Sequence, residues 1–292
     1  MNTFSILIPT WNNLDFLKLC IKSIKQNSSY SHEILIHVND GRDGTLDWVK
    51  SMGLKYTYSE ENIGVCWALN TLRRLVTTDY MVFINDDMYM LPEWDKVLYE
   101  EIRHIGHDRF FFSASCIQKY NDRGRKHAVI IGDYGSTPDS FREEALLRSY
   151  KDLYTEDWLG ATAPPNIVHR DLWDLVGGYS VEFSLGMASD QDFSAKLWLA
   201  GVRDFRGFSA SRCYHFMSKT VERIDKNNGP IQFLRKYGIT KRTFELDILH
   251  QNQTVSNEKS TRWSLRKNRL RSILKKILTI CVDPGGRKLW QY

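Results

Sequence analysis

The sequence of 292 residues lacks any long hydrophobic run. Its first apolar stretch, residues 4–8, follows no basic segment and is far shorter than the core of a signal peptide. No segment approaches the roughly 20 consecutive apolar residues that a membrane-spanning helix needs. We therefore expect neither a signal peptide nor a transmembrane helix, and a soluble cytoplasmic protein that can also lie peripherally at the inner face of a membrane.

Cysteine is scarce and irregularly placed. The sequence has five cysteines, an odd number in no metal-binding spacing: Cys20, Cys66, Cys116, Cys213 and Cys281. This pattern argues against a disulfide framework and favours reduced thiols.

Most of the chain carries little net charge. The net charge is +5, but residues 259–288 contain ten Lys or Arg against one acid, Asp283. That segment carries +9, which leaves −4 for the remainder. The basic character therefore belongs to a C-terminal tail and not to the predicted globular part.

The first third of the chain alternates short apolar runs with amphipathic segments. We predict strands at residues 4–8, 33–38, 55–58 and 80–84, with helices between them. This β-α-β order indicates a mostly parallel, doubly wound sheet with right-handed crossovers. Ligands of such sheets bind at the carboxyl ends of the strands.

The periodicity is weaker beyond residue 105. Further strands are predicted at 110–115, 128–131, 160–168 and 212–216, and helices at 140–151, 170–176, 190–200, 221–237 and 241–251. A polar linker at 251–260 then leads into a basic amphipathic helix at 263–280.

The richest chemical signal is the run Asn85-Asp86-Asp87 after the fourth predicted strand. Carboxylates at the end of a buried strand are costly unless a cation neutralises them. Mg²⁺ or Mn²⁺ does so through one or two carboxylates together with substrate phosphates. The alternative is an acidic turn that caps a helix at 91–102. Because other polar clusters also follow strand ends, we predict a metal site.

Five sequence blocks in order resemble the inverting glycosyltransferase family 2. They are residues 8–13 (IPTWNN), 38–45 (VNDGRDGT), 61–64 (ENIG, running on to Asn70), 85–87 (NDD), and 177–179 (GGY) followed by 189–193 (SDQDF). The resemblance extends over about residues 3–218. It implies the GT-A fold, an α/β/α sandwich with a Rossmann-like sheet and here a C-terminal helical extension, and a role in polysaccharide biosynthesis.

The resemblance also implies how the chain is divided. Residues 1–104 would be the nucleotide-sugar-binding half and 105–220 the acceptor and catalytic half of one GT-A domain. Residues 221–251 would be the helical extension, and 252–292 the linker and basic helix.

Roles for individual residues follow from the matching blocks. Asp40 would pair with the nucleobase, although an ordinary Asp-Gly turn explains it equally. The remaining nucleotide-binding residues would be Pro9, Thr10, Asn39, Asn62, Gly64, Asn85 and Asp86. Asp87 and His215 would bind Mn²⁺ or Mg²⁺. Asn85 occupies the first position of the family's DxD motif, where it is a poorer ligand than aspartate.

Asp190 would be the general base that accepts the proton of the acceptor hydroxyl. Its predicted place at a helix start favours the ionised carboxylate. The family usually has glutamate before this aspartate, whereas Ser189 stands here. Trp158, Gly160 and Asp192 would border the donor sugar and acceptor, although Trp158 could equally be a core residue and Asp192 a structural one.

The resemblance thus implies transfer of a sugar from a nucleoside diphosphate to a glycan or lipid-linked hydroxyl. Three alternatives stay open: a sugar-1-phosphate nucleotidyltransferase, an inactive nucleotide-sugar binder and a nucleic-acid-binding protein. The first would have a Gly-rich basic loop where Trp11-Asn12-Asn13 stands, and the last would need more than a basic tail, so nucleic acid is not an expected partner. The tail helix suits an anionic membrane, or packing on the body or on a second subunit of a homo-oligomer.

Overall fold

The computed structural model describes residues 2–121, 124–184, 187–218, 228–257, 270 and 272–276. One mixed sheet contains the ten strands of this part. Their bounds are β1 Phe4–Trp11, β2 Glu33–Asn39, β3 Lys55–Ser59, β4 Tyr80–Phe83, β5 Met88–Met90, β6 Phe110–Gln118, β7 Val129–Ile131, β8 Trp158–Leu159, β9 Asn166–His169 and β10 Asp204–His215.

Nine α-helices flank these strands in the described ranges between residues 14 and 243, and residues 270 and 272–276 are helical as well. The nine are α1 Leu14–Asn27, α2 Thr45–Ser51, α3 Gly64–Arg73, α4 Trp94–Ile105, α5 Glu143–Ser149, α6 Arg170–Val176, α7 Ser189–Leu199, α8 Gly229–Tyr237 and α9 Lys241–Thr243. A π-helical turn, Phe244–Ile248, continues α9. Residues 219–227, in which the predicted helix 221–237 begins, lie outside the described part.

The strand order is β3-β2-β1-β4-β9-β6-β10-β5, with β7 beside β6 and β8 beside β10. Strands β1 to β4 are parallel, whereas β9 runs antiparallel between β4 and β6. The prediction of a mostly parallel, doubly wound sheet is confirmed. Both predicted halves contribute strands to this one sheet, and their boundary at residue 104 stays a prediction.

Apolar side chains pack against both faces of the sheet. On one face α1 presents Leu17, Cys20, Ile21 and Ile24 at helical spacing to β1 and β4. On the other face lie Leu69 and Leu72 of α3, Leu172 of α6 and Phe193 of α7. Helices on both faces leave the strand ends as the accessible edge of the sheet, as predicted.

Two of the predicted strands differ most from the structure. The predicted strand 160–168 is a loop as far as Pro165 and then strand β9, while the short strand β8 lies before it. Strand β10 begins at Asp204 instead of 212 and pairs with β6 from there. Within this first half, Asp204 and Glu101 pair with Arg206 and so satisfy its charge. Gly207 lies directly beneath the Trp158 indole, where any Cβ would clash.

A buried histidine lies on β2 beneath the strand ends. The His37 ring is fully buried, with Nδ1 2.7 Å from Thr57 Oγ1 and Nε2 3.2 Å from Ser59 Oγ. Burial lowers the pKa of His37 from 6.5 to about 4, against a hydrogen bond with Asn39 that raises it. The ring is therefore neutral in the folded protein at neutral pH.

This histidine predicts an acid-dependent loss of stability. Between pH 6.5 and about 4 the unfolded chain binds a proton at His37 that the folded protein does not. The free energy of unfolding therefore falls as the pH is lowered through this window, by up to about 3 kcal/mol from this group. Urea titrations of wild type and His37→Gln, which keeps hydrogen-bonding groups, should show the variant gaining relative stability as the pH falls. A pH-independent difference would contradict the prediction.

Candidate active site

The loops after β1 and β4 meet at the carboxyl edge of the sheet. Thr10, at the end of β1, donates a hydrogen bond of 2.7 Å from Oγ1 to Asp86 Oδ2. Asp86 and Asp87 form the centre of a turn that Met88 N–H closes on the Asn85 carbonyl at 3.2 Å. Both aspartates are almost fully buried. The turn thus positions two carboxylates where the sequence predicts nucleotide and metal binding.

Asn39, at the end of β2, forms hydrogen bonds with three other segments at this edge of the sheet. Its Nδ2 donates to the Thr10 carbonyl at 3.3 Å, and its Oδ1 accepts from Ile63 N–H at 2.9 Å and from Ser59 Oγ at 3.3 Å. The side chain is buried. Asn39 therefore connects the ends of β1 and β3 with the start of α3.

The other nucleotide-block residues lie along the same edge. Pro9 precedes Thr10 on β1 and pairs with His37 of β2 in the ladder. Asn62 accepts from Gly64 N–H through Oδ1 at 3.0 Å, which shapes the first turn of α3. Asn62 and Gly64 thus organise the loop that Asn39 binds.

Asp40 lies at the rim of this edge with two polar partners. Arg42 Nε donates to Asp40 Oδ1 at 2.8 Å, and Asn12 Nδ2 donates to Oδ2 at 2.9 Å. The Arg42 hydrogen bond, aided by Asn12, holds the pKa of Asp40 below its usual range. The ionised side chain is 12% exposed. Its predicted pairing with the nucleobase stays a prediction.

Asp87 and His215 are brought together by strand pairing. In the antiparallel ladder of β5 with β10, His215 pairs with Met88, and Phe216 N–H donates to the Asp87 carbonyl at 3.1 Å. The distance between His215 Nε2 and Asp87 Oδ2 is 3.3 Å. Ser218 N–H also donates to Oδ2, at 2.7 Å. The backbone thus places the two predicted metal ligands side by side.

The electrostatics of Asp87 favour an anion. Burial alone would raise the pKa of the Asp87 carboxyl, but the charge and hydrogen bond of His215 and the hydrogen bonds of Ser218 more than offset it. The pKa is lower than usual. Asp87 therefore presents a carboxylate, the form that a metal ion needs.

The donor set fits a divalent cation that shares its shell with substrate. Within the described ranges no group of three His, Cys, Asp or Glu side chains could hold a metal by itself. One carboxylate and one imidazole leave positions for diphosphate oxygens and water, which is the usual mode of Mg²⁺ or Mn²⁺ at nucleotides. An imidazole ligand favours Mn²⁺ over Mg²⁺.

Asp190 lies in the first turn of α7, as predicted. Tyr179 donates to Asp190 Oδ1 from its hydroxyl at 3.4 Å. Burial, and then the Asp190 charge, raise the pKa of Tyr179 well above its ordinary value, so the phenol stays protonated as a donor. The residue before α7, Ala188, has φ of +66°. The chain therefore turns sharply at the point where it presents Asp190.

A glycine turn connects this region to the nucleotide side. Asn70 of α3 exchanges hydrogen bonds with the backbone of Tyr179, at 2.9 Å from N–H and 2.7 Å to the carbonyl. Gly178 has φ of +64°, and a Cβ there would lie 2.3 Å from Asn70 Oδ1. Ser184 Oγ also donates to the Ile63 carbonyl at 2.6 Å. Three hydrogen bonds thus tie the loop before α7 to α3 and to the residue that precedes it.

Asp192 lies two residues after Asp190, also in the first turn of α7, and is fully buried. Its Oδ1 is 2.8 Å from Lys236 Nζ and accepts from the Tyr237 hydroxyl at 2.7 Å. Burial alone would lower the pKa of Lys236, but hydrogen bonds to Asp192 and Glu182 hold it above its ordinary value. These contacts join α7 to α8. They favour a structural role for Asp192, whereas its predicted acceptor contact stays a prediction.

This ion pair predicts a stability effect. Lys236→Met would leave the buried Asp192 carboxylate without its cation, and we expect the free energy of unfolding to fall by about 2 kcal/mol. The matched control is Lys96→Met, because the Lys96–Glu93 pair is exposed and 3.6 Å apart. Exposed pairs contribute about 0–1 kcal/mol. Urea denaturation measures both variants, and equal losses would contradict the prediction.

Trp158 and Gly160 lie in the interior of the protein. The Trp158 side chain is buried, and its Nε1 donates to Ser115 Oγ at 3.0 Å. Gly160 has φ of +84°, and its Cα faces the backbone of Gln251 so closely that a Cβ would lie 2.7 Å from Gln251 Cα. The structure therefore favours the core alternative for Trp158. The predicted sugar contacts of both residues stay predictions.

Sequence reasoning missed Arg42, Tyr179 and Ser218. Four of the eight non-glycine residues with positive φ in the described part are site residues or lie within two residues of one in the sequence: Asn12 (46°), Asp40 (62°), Ala188 (66°) and Met217 (56°). The other four lie elsewhere, at Glu93, His127, His250 and Asn252. Such conformations are costly and are retained where the surroundings enforce them, often at functional sites. Their side chains look ordinary in the sequence, so this signal needs the coordinates.

The family model of Glycosyl transferase family 2 matches residues 5–159, just over half of the chain. A curated relative, the O-antigen biosynthesis protein RfbC of Myxococcus xanthus, is 22% identical over 213 residues. That alignment covers 68% of this chain but only 16% of the relative, so this chain corresponds to a small part of it.

Solved structures share the fold at low sequence identity. S. aureus TarS 1–349 in complex with UDP-GlcNAc has a TM-score of 0.58 and 14% identity, covering 99% of this chain and 76% of TarS 1–349. GalNAc-T7 with UDP, GalNAc and Mn²⁺ also has a TM-score of 0.58 and 14% identity, covering 99% of this chain and 58% of the other. The predicted GT-A fold is thereby confirmed.

Proposed function

Because this chain belongs to glycosyl transferase family 2, we propose that it transfers a sugar from a nucleoside diphosphate donor to a hydroxyl group of a glycan or lipid-linked acceptor. The observation that carries the proposal is the joining of three sites at one edge of the sheet. Thr10 binds Asp86, the neighbour of Asp87, and its carbonyl accepts from Asn39, the neighbour of Asp40. Asn39 binds the start of α3, and Asn70 of α3 binds Tyr179, whose hydroxyl donates to Asp190.

The donor would lie across the strand ends. Asp40 would accept from a nucleobase N–H, while Thr10 and Asn39 line the floor beneath it. Asp86, oriented by Thr10, would face the ribose or sugar. Pro9, Asn62, Gly64 and Asn85 would shape the walls of this subsite. UDP and UDP-GlcNAc are ligands of TarS, and we propose the same class of donor here.

Asp87 and His215 would hold Mn²⁺ or Mg²⁺ beneath the diphosphate. When bound, the ion supplies positive charge that offsets the charge developing on the leaving diphosphate. GalNAc-T7 was solved with Mn²⁺. Asn85 in place of the first DxD aspartate removes one carboxylate, so this site depends on Asp87 for its anionic protein ligand.

Asp190 would act as the general base of an inverting reaction. Its carboxylate accepts the hydroxyl proton as the acceptor oxygen forms a bond to the anomeric carbon. The bond from that carbon to the diphosphate oxygen breaks on the opposite face, and the electron pair leaves with the diphosphate. The Tyr179 hydroxyl fixes the orientation of the Asp190 carboxylate. With the proposed metal ion offsetting the charge on the diphosphate, no protein acid is needed at the leaving group.

The acceptor and the location follow from the same chemistry. RfbC is named for O-antigen biosynthesis, which supports a glycan or lipid-linked acceptor and a role in polysaccharide biosynthesis. Among the described residues no helix has both the length and the hydrophobicity to cross a bilayer. Four cysteines are free thiols, Cys20, Cys66, Cys116 and Cys213, which supports a cytoplasmic location.

A panel of nucleoside diphosphate sugars tests the proposal. Each donor is incubated with Mn²⁺ and a mixed glycan acceptor, and the release of nucleoside diphosphate is measured. We expect release from at least one donor that depends on Asp190. Donor binding without release from any donor would favour an inactive nucleotide-sugar binder, and the absence of both would refute the proposed function.

A further inference from the structure

The basic tail docks on the protein through a polar contact that points its apolar side outward. Residues 270 and 272–276 are helical. Ser272 is 1% exposed, and its Oγ accepts from Thr240 N–H at 3.4 Å and lies 3.3 Å from Thr243 Oγ1. Lys276, one turn later, brings its amine beside Gly238, the C-cap of α8. The side of the helix that faces the body is therefore hydrophilic.

The opposite side is apolar and exposed. Leu270, Ile273 and Leu274 are 63%, 52% and 60% exposed. At about 100° per residue these three positions fall on one stripe, roughly opposite Ser272. A helix that served only to pack on the body would bury this stripe and expose its serine. The observed orientation is the reverse.

Charge determines what can cover the stripe. Residues 259–288 carry +9, while the remainder of the chain carries −4. Two copies that met through this face would bring two strongly basic segments together, which is unfavourable. Nucleic acid would neutralise the charge but would bury no aliphatic side chains. An anionic lipid surface satisfies both features, since lysine and arginine meet headgroups while leucine and isoleucine enter the acyl boundary.

We propose that the stripe of Leu270, Ile273 and Leu274 binds the surface of an anionic membrane as an interfacial helix. The same surface repels the acidic remainder of the chain, so the protein binds with the basic tail facing the membrane. Ser272 and Lys276 hold the helix on the body and fix this orientation. The inference concerns membrane binding alone and is independent of the sugar-transfer reaction.

Vesicle flotation with the full chain tests the proposal. We expect binding to vesicles of phosphatidylglycerol and phosphatidylethanolamine, and much weaker binding to phosphatidylcholine alone. The double variant Leu270→Ser/Leu274→Ser should lower the partition coefficient by about tenfold or more. The matched control is Leu175→Ser/Leu199→Ser, two leucines of 65% and 66% exposure elsewhere on the surface, which should bind as wild type does.

Two further measurements keep the outcome unambiguous. Melting temperatures of both double variants should equal that of wild type, because all four leucines are exposed. Lys275→Glu should weaken binding to anionic vesicles and leave binding to neutral ones unchanged. Equal flotation of the two double variants, or no flotation of wild type, would overturn the proposal. So would a dimer by light scattering that Leu270→Ser/Leu274→Ser converts to a monomer.

Discussion

Replacing Asp190 with asparagine is expected to lower kcat for sugar transfer by about 10²- to 10⁴-fold and to leave donor affinity within about twofold. The amide keeps the size of the side chain and can still accept from Tyr179, but it cannot take the proton of the acceptor hydroxyl. Initial rates of nucleoside diphosphate release at saturating acceptor measure kcat. Calorimetry measures the donor affinity.

The matched control for this variant is Asp171→Asn. Asp171 also lies in the first turn of a helix, α6, but its side chain is 78% exposed and its ion-pair partners are His169 and Arg170. We expect its kcat to equal that of wild type. If Asp190→Asn retains wild-type kcat, Asp190 is not the base, whether or not the chain is a transferase.

Asp87→Ala is expected to remove the dependence of donor binding on Mn²⁺ and to lower kcat/KM by at least about 100-fold. The variant loses one of the two proposed protein ligands and the only carboxylate of that pair, so the diphosphate would meet the remaining carboxylate Asp86 with less neutralisation. Calorimetric titrations of the donor with and without Mn²⁺ give the affinity difference directly.

The control for the metal prediction is Asp139→Ala, which removes an equally charged but exposed side chain. His215→Ala should weaken Mn²⁺-dependent binding less than Asp87→Ala does, because a neutral ligand is lost instead of an anion. An Asp87→Ala protein that binds donor equally tightly and with the same Mn²⁺ dependence as wild type would show that the ion is held elsewhere.

The sheet was predictable where the hydrophobic periodicity and the turn-forming residues that end each run agree. Strands β1 to β4 each coincide with a predicted run that ends in polar residues. Helix α6 has the predicted bounds. Strand β10 was mostly missed because its first half carries Asp204, Arg206 and Gly207, which sequence rules penalise. Those residues are satisfied by an ion pair and by the Trp158 ring, and both contacts depend on distant parts of the chain.

The sequence predicted which residues form the candidate site, but it did not predict how their side chains are arranged in space. The sequence blocks name Asp87 and His215 as ligands, but only the strand register shows that their side chains meet. Trp158 and Asp192 show the converse. Residue type made them candidates for contacts with sugar or acceptor, whereas burial places them in the interior, where Ser115 and Lys236 are their partners.

The ladder of β5 with β10 has a consequence for how this site tolerates sequence change. The Asp87–His215 spacing is set by main-chain hydrogen bonds, which any pair of residues on these strands would make. Substitutions in the core that shift helices during evolution therefore change the surroundings of the site before they change the distance between Asp87 and His215. A metal site of the proposed kind can therefore persist while most other positions change, and the loops around it can change the specificity proposed for sugar and acceptor.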